Sequence, residues 1–258
     1  MWKTSSLILT ACLLAATAPA QTNGLFQFAS TPQRTALLEL YASEGCSSCP
    51  PAEKWLTGLQ DSPRLWKDFV PLAFHVDYWN YLGWKDAWSD AEFSERQRAF
   101  AQLWRSDNIY TPEFILDGHE WHDWFTGKKG PRADGRTAGR LTVSSTDTNR
   151  WQAVFLPEKI SGARYEIHAV LLAGGIISDV KAGENRGRRL RHDFVVVNLV
   201  QLGMATSDAG ATGGFILDTP RHRPGRTLAL AVWITRVGQL EPLQATGGWL
   251  VPPDKNDL

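Results

Sequence analysis

Cysteine and methionine are both scarce in this sequence, which has 3 cysteines and 2 methionines among its 258 residues. Cys12 lies in an N-terminal segment that we expect to be removed, so the exported chain would keep only Cys46 and Cys49. Two cysteines cannot build a zinc site of the C-x-x-C…C-x-x-C type, and neither has another disulfide partner. The single remaining methionine, Met204, also argues against a copper carrier that uses thioether ligands.

The sequence has no excess charge of either sign. Lysine and arginine together number 27, aspartate and glutamate together number 27, and the formal net charge is zero. This balance predicts no nucleic-acid partner, because chains that bind nucleic acid usually carry a basic excess. The one basic cluster, Arg186–Arg191, is more typical of a solvated hairpin than of a phosphate site.

The N-terminal apolar stretch is too short to cross a membrane. Leu7–Ala16 is about half the length that a membrane-spanning helix needs, which is about 20 residues. Lys3 precedes it and Ala18-Pro19-Ala20 follows it, so the pattern predicts a signal peptide over residues 1–20. The alternative is a lipoprotein cleavage box at Leu9–Cys12. With cleavage after Ala20 we expect a periplasmic or secreted protein without a membrane span.

The residues around Cys46 and Cys49 predict a strand, a turn and a helix in close succession. An apolar run at 37–41 fits a buried strand. After the cysteines, apolar residues recur with the spacing of one packed helix face, at Ala52, Trp55, Leu56 and Leu59. The thiols therefore lie at a helix N-terminus, where free N–H groups and the helix dipole can lower the pKa of a cysteine from about 8.5 to about 3.5–7.5.

This position favours redox chemistry for the two thiols. An ionised first cysteine can attack a disulfide, and the second is close enough to release the mixed disulfide. An inert structural disulfide is the alternative. A disulfide that closes a four-residue loop constrains the unfolded chain little, so the redox interpretation is preferred.

A second apolar run, Val70–Val76, predicts another strand after the helix. Two strands joined by a helix should be parallel, and their carboxyl ends then share one sheet edge. An aromatic-rich loop follows at Asp77–Trp88, then a helix with a capping box at Ser89–Glu92. Asp117-Gly118 predicts a hairpin turn.

The second half of the chain has a different pattern. A stretch rich in glycine, lysine and arginine, Gly127–Gly139, predicts a linker or long loop. Beyond it come β-rich runs separated by glycines: Trp151–Leu156, Tyr165–Leu172, Phe194–Leu202 and Thr227–Thr235. We therefore expect residues 21–139 to form an α/β domain with a helical insertion, and residues 140–258 to form a mainly-β, antiparallel sandwich-like domain packed on the first.

Three sequence blocks carry a family resemblance: ELYASEGCSSCPPAE, HVDYWNYLGWKDAWS and YTPEFILDG. They resemble the exported bacterial family catalogued as domain of unknown function 1223, strongly over residues 36–120 and weakly again at 183–197. The order strand, C-x-x-C, helix, strand and Thr-Pro also resembles the thioredoxin-like superfamily. That resemblance implies an α/β thioredoxin-like fold for the first domain, but the family label implies no substrate.

The same resemblance implies roles for residues away from the cysteines. Thr111-Pro112 would be a cis peptide bond facing the thiols, with Pro112 guiding the substrate backbone. Thr111, Trp79 and Tyr78 would contact the substrate, although the aromatic residues of this loop could equally cap the sheet edge. Gly45 departs from the superfamily pattern, in which an aromatic residue is common before the first cysteine.

Glu39 and His75 are polar residues in strands that we expect to be buried. A buried carboxylate is costly unless it is paired or neutral. Glu39 therefore takes the proton of Cys49 during exchange, points to a sheet edge, or pairs with a lysine or an arginine. We interpret His75 as a core histidine rather than a metal ligand.

Three functions remain open from the sequence. The leading prediction is an exported thiol–disulfide oxidoreductase that acts on protein thiols or disulfides, with Cys46 attacking, Cys49 resolving and no cofactor or metal. The second is a carrier of copper or another soft metal bound by the two thiolates. The third is a non-enzymatic binding module.

Overall fold

The computed structural model describes residues 25–126, 130–145, 147–218 and 225–254. The predicted signal peptide, residues 1–20, lies outside the described residues, as do 127–129 of the predicted linker. Within the described residues no helix is long and apolar enough to cross a membrane.

The described residues form sixteen strands and two α-helices. The helices are α1 (Cys49–Thr57) and α2 (Ala91–Leu103). The strands of the first half are β1 (Gln27–Ala29), β2 (Ala36–Ala42), β3 (Phe69–Val76), β4 (Ser89–Asp90), β5 (Glu113–Leu116) and β6 (His119–Glu120). Those of the second half are β7 (Gly139–Ser145), β8 (Arg150–Pro157), β9 (Tyr165–Gly174), β10 (Ile176–Asp179), β11 (Arg189–His192), β12 (Val195–Gly203), β13 (Ala205–Ser207), β14 (Gly210–Ile216), β15 (Thr227–Arg236) and β16 (Gln244–Val251). Single 3-10 turns lie at Gly58–Asp61, Asn80–Leu82 and Asp123–Thr126.

One large sheet contains strands from both halves of the chain. Its order is β16-β15-β9-β12-β3-β2-β5-β6, with β4 added to the end of β3. The predicted parallel pairing of β2 with β3 is confirmed, with Ala36 opposite Phe69 and Ala42 opposite His75. On the other side β3 pairs with β12, where Val195 lies opposite Ala73. The first and second halves are therefore joined edge to edge by backbone hydrogen bonds.

The predicted α/β thioredoxin-like domain is wrong. The chain is mainly β, and the β2–β3 pair is one part of a sheet of nine strands whose β9, β12, β15 and β16 pair antiparallel with one another. The prediction failed because the free edge of β3 finds its partner in β12, more than a hundred residues further along the chain. A local pattern of apolar residues does not encode such a pairing.

The second half is also not a self-contained sandwich. Its β7, β8, β13 and β14 form a five-stranded sheet with β1 from the N-terminal side, in the order β1-β7-β8-β14-β13. Its remaining long strands belong to the large sheet. The four β-rich runs predicted from the sequence are all strands, but they are divided between the two sheets. The domain boundary near residue 139 stays a prediction.

The turns that lead to the site follow local rules. Asp117 and Gly118 both have positive φ, 53° and 86°, which suits the tight turn between β5 and β6. The return strand is shorter than predicted, since only His119–Glu120 pairs. Helix α2 begins after Asp90, whose side chain accepts a hydrogen bond from the backbone N–H of Glu92.

Candidate functional site

The two thiols lie in the turn between β2 and α1, as predicted. The backbone N–H of Cys46 donates to the carbonyl of Ser43 at 3.1 Å, and the N–H of Cys49 donates to the carbonyl of Cys46 at 3.3 Å. Helix α1 begins at Cys49, with prolines in its first turn where the N–H groups are unpaired. Both cysteines are free thiols and both are buried.

Cys46 is surrounded by hydroxyl and carbonyl groups. Its Sγ lies 3.2 Å from the Oγ of Ser48 and 3.6 Å from the backbone carbonyl of Thr111. The indole N–H of Trp79 donates to the Oγ1 of Thr111 at 2.8 Å. Because Oγ1 accepts from Trp79, the hydroxyl hydrogen of Thr111 remains available to donate to Cys46. The structure thus brings Thr111 and Trp79 together with the first thiol.

The Thr111-Pro112 peptide bond is cis, as predicted. It places the carbonyl of Thr111 against Cys46 at the start of β5. The guiding role assigned to Pro112 stays a prediction.

The two thiols differ strongly in acidity. A hydrogen bond from Cys49, followed by hydrogen bonds from Ser48 and Thr111, lowers the pKa of Cys46 to about 6 although burial opposes this. Burial is the main cause that raises the pKa of Cys49, and the hydrogen bond to Cys46 and the charges of Cys46 and Glu53 raise it further. Near neutral pH the site therefore holds a thiolate at Cys46 and a thiol at Cys49.

Gly45 is required by a close approach of the chain to Trp79. A Cβ added to Gly45 would lie 2.9 Å from the Cβ of Trp79. That distance is too short for two carbon atoms, so an aromatic residue before Cys46 does not fit here. The Cβ and the backbone carbonyl oxygen of Trp79 occupy this space instead.

Glu39 and Tyr78 face other partners. The carboxylate of Glu39 accepts from Arg96 at 2.7 and 2.9 Å and from the hydroxyl of Tyr41 at 2.9 Å. Tyr78 donates to Gln97 at 3.1 Å and is half-buried. The proton-transfer role for Glu39 and the substrate contact for Tyr78 stay predictions, but the arginine pairing considered for Glu39 is present.

A loop from the second half of the chain completes the site, and sequence reasoning missed it. The side-chain amide of Asn185 donates to the carbonyls of Glu44 and Cys46 at 2.9 and 2.8 Å, and Asn185 is fully buried. Glu184 accepts from the backbone N–H and the hydroxyl of Ser47 at 3.0 and 2.7 Å. The only signal for this loop was the weak family resemblance at 183–197.

A buried cluster of charged groups, which we call the histidine cluster, lies on the far side of the motif. It consists of Glu44, Glu53, His75, Asp86 and His192, none more than 5% exposed. The Nδ1 of His75 lies 2.7 Å from Asp86, and the Nδ1 of His192 lies 2.7 Å from Glu53. The Nε2 of His192 lies 3.3 Å from Glu44. Glu53 is one helical turn after Cys49, so α1 links this cluster to the thiols.

The charges within the histidine cluster stabilise one another. Burial alone would lower the pKa of His192, but the carboxylates of Glu53 and Glu44 raise it to about 10. Burial likewise opposes the charge on His75, and Asp86 overcomes it, so the pKa of His75 is raised. The pKa of Asp86 is lowered by His75 against the effect of burial. The cluster is therefore a compensated network rather than a set of isolated buried charges.

Two solved structures have a similar fold. Protein AGR_C_4864 from Agrobacterium tumefaciens is 21% identical, with a TM-score of 0.57 over 85% of this chain and 95% of that one. HBP35 of Porphyromonas gingivalis is 12% identical, with a TM-score of 0.56 over 88% of this chain and 79% of that one. At these identities the likeness concerns the fold alone. No curated protein matches the sequence.

A family model matches residues 37–235, which include both cysteines, the Thr111-Pro112 bond, the loop of Asn185 and both histidines of the cluster. The match covers well over half of the sequence, so the chain belongs to the family of proteins of unknown function DUF1223.

Proposed function

We propose that the protein is an exported thiol–disulfide oxidoreductase in which Cys46 attacks and Cys49 resolves. The observation that carries the proposal is the environment of Cys46, where hydrogen bonds from Cys49, Ser48 and Thr111 lower the pKa of the thiol to about 6. A structural cysteine needs no stabilised thiolate. A nucleophilic one does, because the thiolate is the reacting form.

The proposed exchange transfers two electrons. The Cys46 thiolate attacks one sulfur of a substrate disulfide, forms a mixed disulfide and releases the other substrate sulfur as a thiolate. Cys49 then gives its proton to the substrate thiolate released in the first step and attacks the Cys46 sulfur. The Cys46–Cys49 disulfide forms and the second substrate thiolate leaves. The substrate is reduced and the protein is oxidised, and the reverse sequence oxidises a substrate dithiol.

The substrate reaches Cys46 on the side of Ser47 and Ser48, which are exposed. Thr111 and Pro112 are half-buried, and the hydroxyl of Ser48 donates to the carbonyl of Thr111 at 3.3 Å. Because the Cys46 sulfur is itself covered, a substrate has to displace the Ser48 side chain or the segment at Thr111. We therefore expect disulfides in extended, unfolded segments of a protein to react faster than disulfides inside folded domains.

The first prediction concerns the pH dependence of alkylation. In the reduced protein Cys46 is expected to react with iodoacetamide at a rate that rises with pH through about 6 and then levels, because its thiolate fraction saturates there. Cys49 is expected to stay unmodified over the same range, because its pKa is raised and it remains a thiol. Mass spectrometry of peptides from timed samples measures both rates.

The Cys46→Ser and Cys49→Ser variants serve as controls for this assignment. Cys49→Ser should still be alkylated at Cys46 and should trap mixed disulfides, and Cys46→Ser should do neither. If Cys49 were labelled first, or if the Cys46 rate kept rising to pH 9, the roles of the two thiols would be wrong.

The second prediction concerns Thr111. Thr111→Val removes the hydroxyl that donates to the Cys46 thiolate, so the pKa of Cys46 should rise and alkylation at pH 6.5 should slow. Thr111→Ser keeps a hydroxyl within reach of the Trp79 indole and should restore most of the rate. If the pH midpoint of Cys46 alkylation were unchanged in Thr111→Val, the hydroxyl would not stabilise the thiolate.

A further inference from the structure

Three residues of the histidine cluster have the composition and spacing of a metal-binding site. Glu53, His75 and His192 each offer one oxygen or nitrogen atom, and these three atoms lie within 4.8 Å of one another. They come from α1, β3 and β11, so the fold rather than a short motif assembles them. None of the three belongs to the thiol pair. The sequence predicts a core role for His75, not a metal-binding one.

One free nitrogen of the cluster, the Nε2 of His75, points to a ligand. Among the described residues the Nε2 of His75 makes no hydrogen bond, although His75 is fully buried. It faces the Oε1 of Glu53 at 3.6 Å, and the same oxygen lies 2.7 Å from the Nδ1 of His192. Two ligands of a tetrahedral zinc ion with bonds of 2.0–2.1 Å are roughly 3.3 Å apart. The two distances in the cluster, 3.6 and 2.7 Å, lie above and below this ligand-to-ligand separation.

His75 has the hydrogen-bonded outer carboxylate that metal sites require, and a second carboxylate lies near the outer nitrogen of His192. A histidine that binds a metal usually donates its other ring N–H to a carboxylate, which fixes the tautomer and the ring orientation. The Nδ1 of His75 is within hydrogen-bond distance of the Oδ2 of Asp86, at 2.7 Å. The Nε2 of His192 lies 3.3 Å from the Oε1 of Glu44, an ion-pair distance without a hydrogen bond. The nitrogens that would face the metal, Nε2 of His75 and Nδ1 of His192, are the other two.

Charge balance also permits a cation here. The five residues include three carboxylates, and two protonated histidines leave one negative charge in excess. A divalent ion with two neutral histidines gives the same balance, so the buried region carries no additional net charge when the metal replaces the two protons.

We propose that Glu53, His75 and His192 form a binding site for one divalent transition-metal ion, one helical turn from Cys49. Two imidazoles and one carboxylate are a ligand set of Zn²⁺ sites that keep a fourth position for water. The site is separate from the cysteines and binds the metal without them. Glu53 also lines a surface cleft of about 230 Å³, but Lys54 and three arginines surround that cleft. The metal is therefore expected to bind fastest before the loop at 183–191 docks, during folding.

The test uses the full exported chain with Cys46→Ser and Cys49→Ser, so that no thiolate can bind metal. The protein is titrated with Zn²⁺ and with Co²⁺ at pH 8, both in the folded state and during refolding from denaturant. We expect one ion to bind per chain and to raise the melting temperature of the protein. The visible absorption of bound Co²⁺ should be that of an ion with few ligands, and it should lack a sulfur-to-cobalt charge-transfer band. Long-range proton–nitrogen spectra of the Zn²⁺ form should show metal bound at Nε2 of His75 and Nδ1 of His192.

Variants separate the ligands from their outer partners. Glu53→Gln should abolish stoichiometric binding, and Asp86→Asn should weaken it by about 10–100-fold, the usual effect of losing an outer carboxylate. Glu113→Gln is the matched control, because Glu113 is equally buried and hydrogen-bonds to Gln97 instead. Absence of stoichiometric binding in the cysteine-free protein by either route, or nitrogen spectra showing two protonated imidazoles with metal present, would overturn the proposal. Neither result would bear on the alkylation of Cys46.

Discussion

A chain that ends at residue 139 is expected to be insoluble or molten, even though it keeps both cysteines and the Thr111-Pro112 bond. The truncation removes β12, and with it the backbone hydrogen bond at 2.8 Å from the N–H of Ala73 to the carbonyl of Phe194. It exposes β3, a strand buried over its whole length, as a bare sheet edge. Asn185 is lost from the turn of the motif as well.

The core of the first half would also lose part of its packing. Phe194, Trp233 and other apolar residues of β9, β12, β15 and β16 belong to the same buried cluster as the apolar residues of β2, β3 and α1. Removing them leaves a large apolar face in contact with water, which soluble monomers seldom tolerate. We therefore expect the full chain to unfold in one cooperative transition that includes both halves.

Circular dichroism, dye binding and sedimentation of the truncated chain measure this directly. The matched control is a chain ending at residue 254, which keeps every described strand and should fold as the parent does. A soluble monomer ending at 139, with a cooperative melting transition and normal disulfide exchange, would show that the halves are independent folding units.

The local elements of the site could be predicted from the sequence. Buried strands have runs of apolar residues, and a helix with one packed face has apolar residues at i, i+3, i+4 and i+7, so β2, α1 and β3 were placed within a residue or two. The prolines after Cys49 fit the first turn of a helix, where the N–H groups are unpaired. These patterns involve residues that are close together in the sequence, so they can be recognised in a single sequence.

The long-range parts could not be predicted for the same reason. Whether β3 ends a sheet or continues it depends on Val195, and the apolar pattern of a buried strand is the same in either case. Asn185 meets the carbonyl of Cys46 across 139 residues, and His192 meets Glu53 across the same separation. A polar residue in a predicted loop gives no indication that it will be buried against a distant turn.

The last prediction concerns the buried pair of Glu39 and Arg96. Arg96→Met is expected to lower the free energy of unfolding by about 3–5 kcal/mol, because it leaves the carboxylate of Glu39 buried and unpaired. The two groups are 1% and 9% exposed, and Arg96 also lies over the rings of Phe100 and Trp233 at 5.2 and 5.3 Å. Methionine retains much of that packing, so most of the loss should be electrostatic.

A double-mutant cycle separates the charge pair from the packing. Glu39→Gln with Arg96→Met should cost clearly less than the sum of the two single changes, because neither variant partner is charged. Arg98 and Glu95 are the matched control on the same helix, an exposed pair at 2.6 Å whose removal should change stability by about 0–1 kcal/mol. Urea unfolding of the parent chain, the single variants and the double variants of each pair gives the two coupling energies.

The same Glu39→Gln protein also decides between the two roles considered for that carboxylate. Its oxygens are engaged by Arg96 and Tyr41, so disulfide exchange by the folded fraction should keep its rate from pH 6 to 9. A slower release of the mixed disulfide, with the unfolding free energy unchanged, would instead make Glu39 the group that takes the proton of Cys49. Lower stability with normal exchange would make Glu39 a structural partner of Arg96, which is the result we expect from two buried groups whose hydrogen bonds are directed at each other.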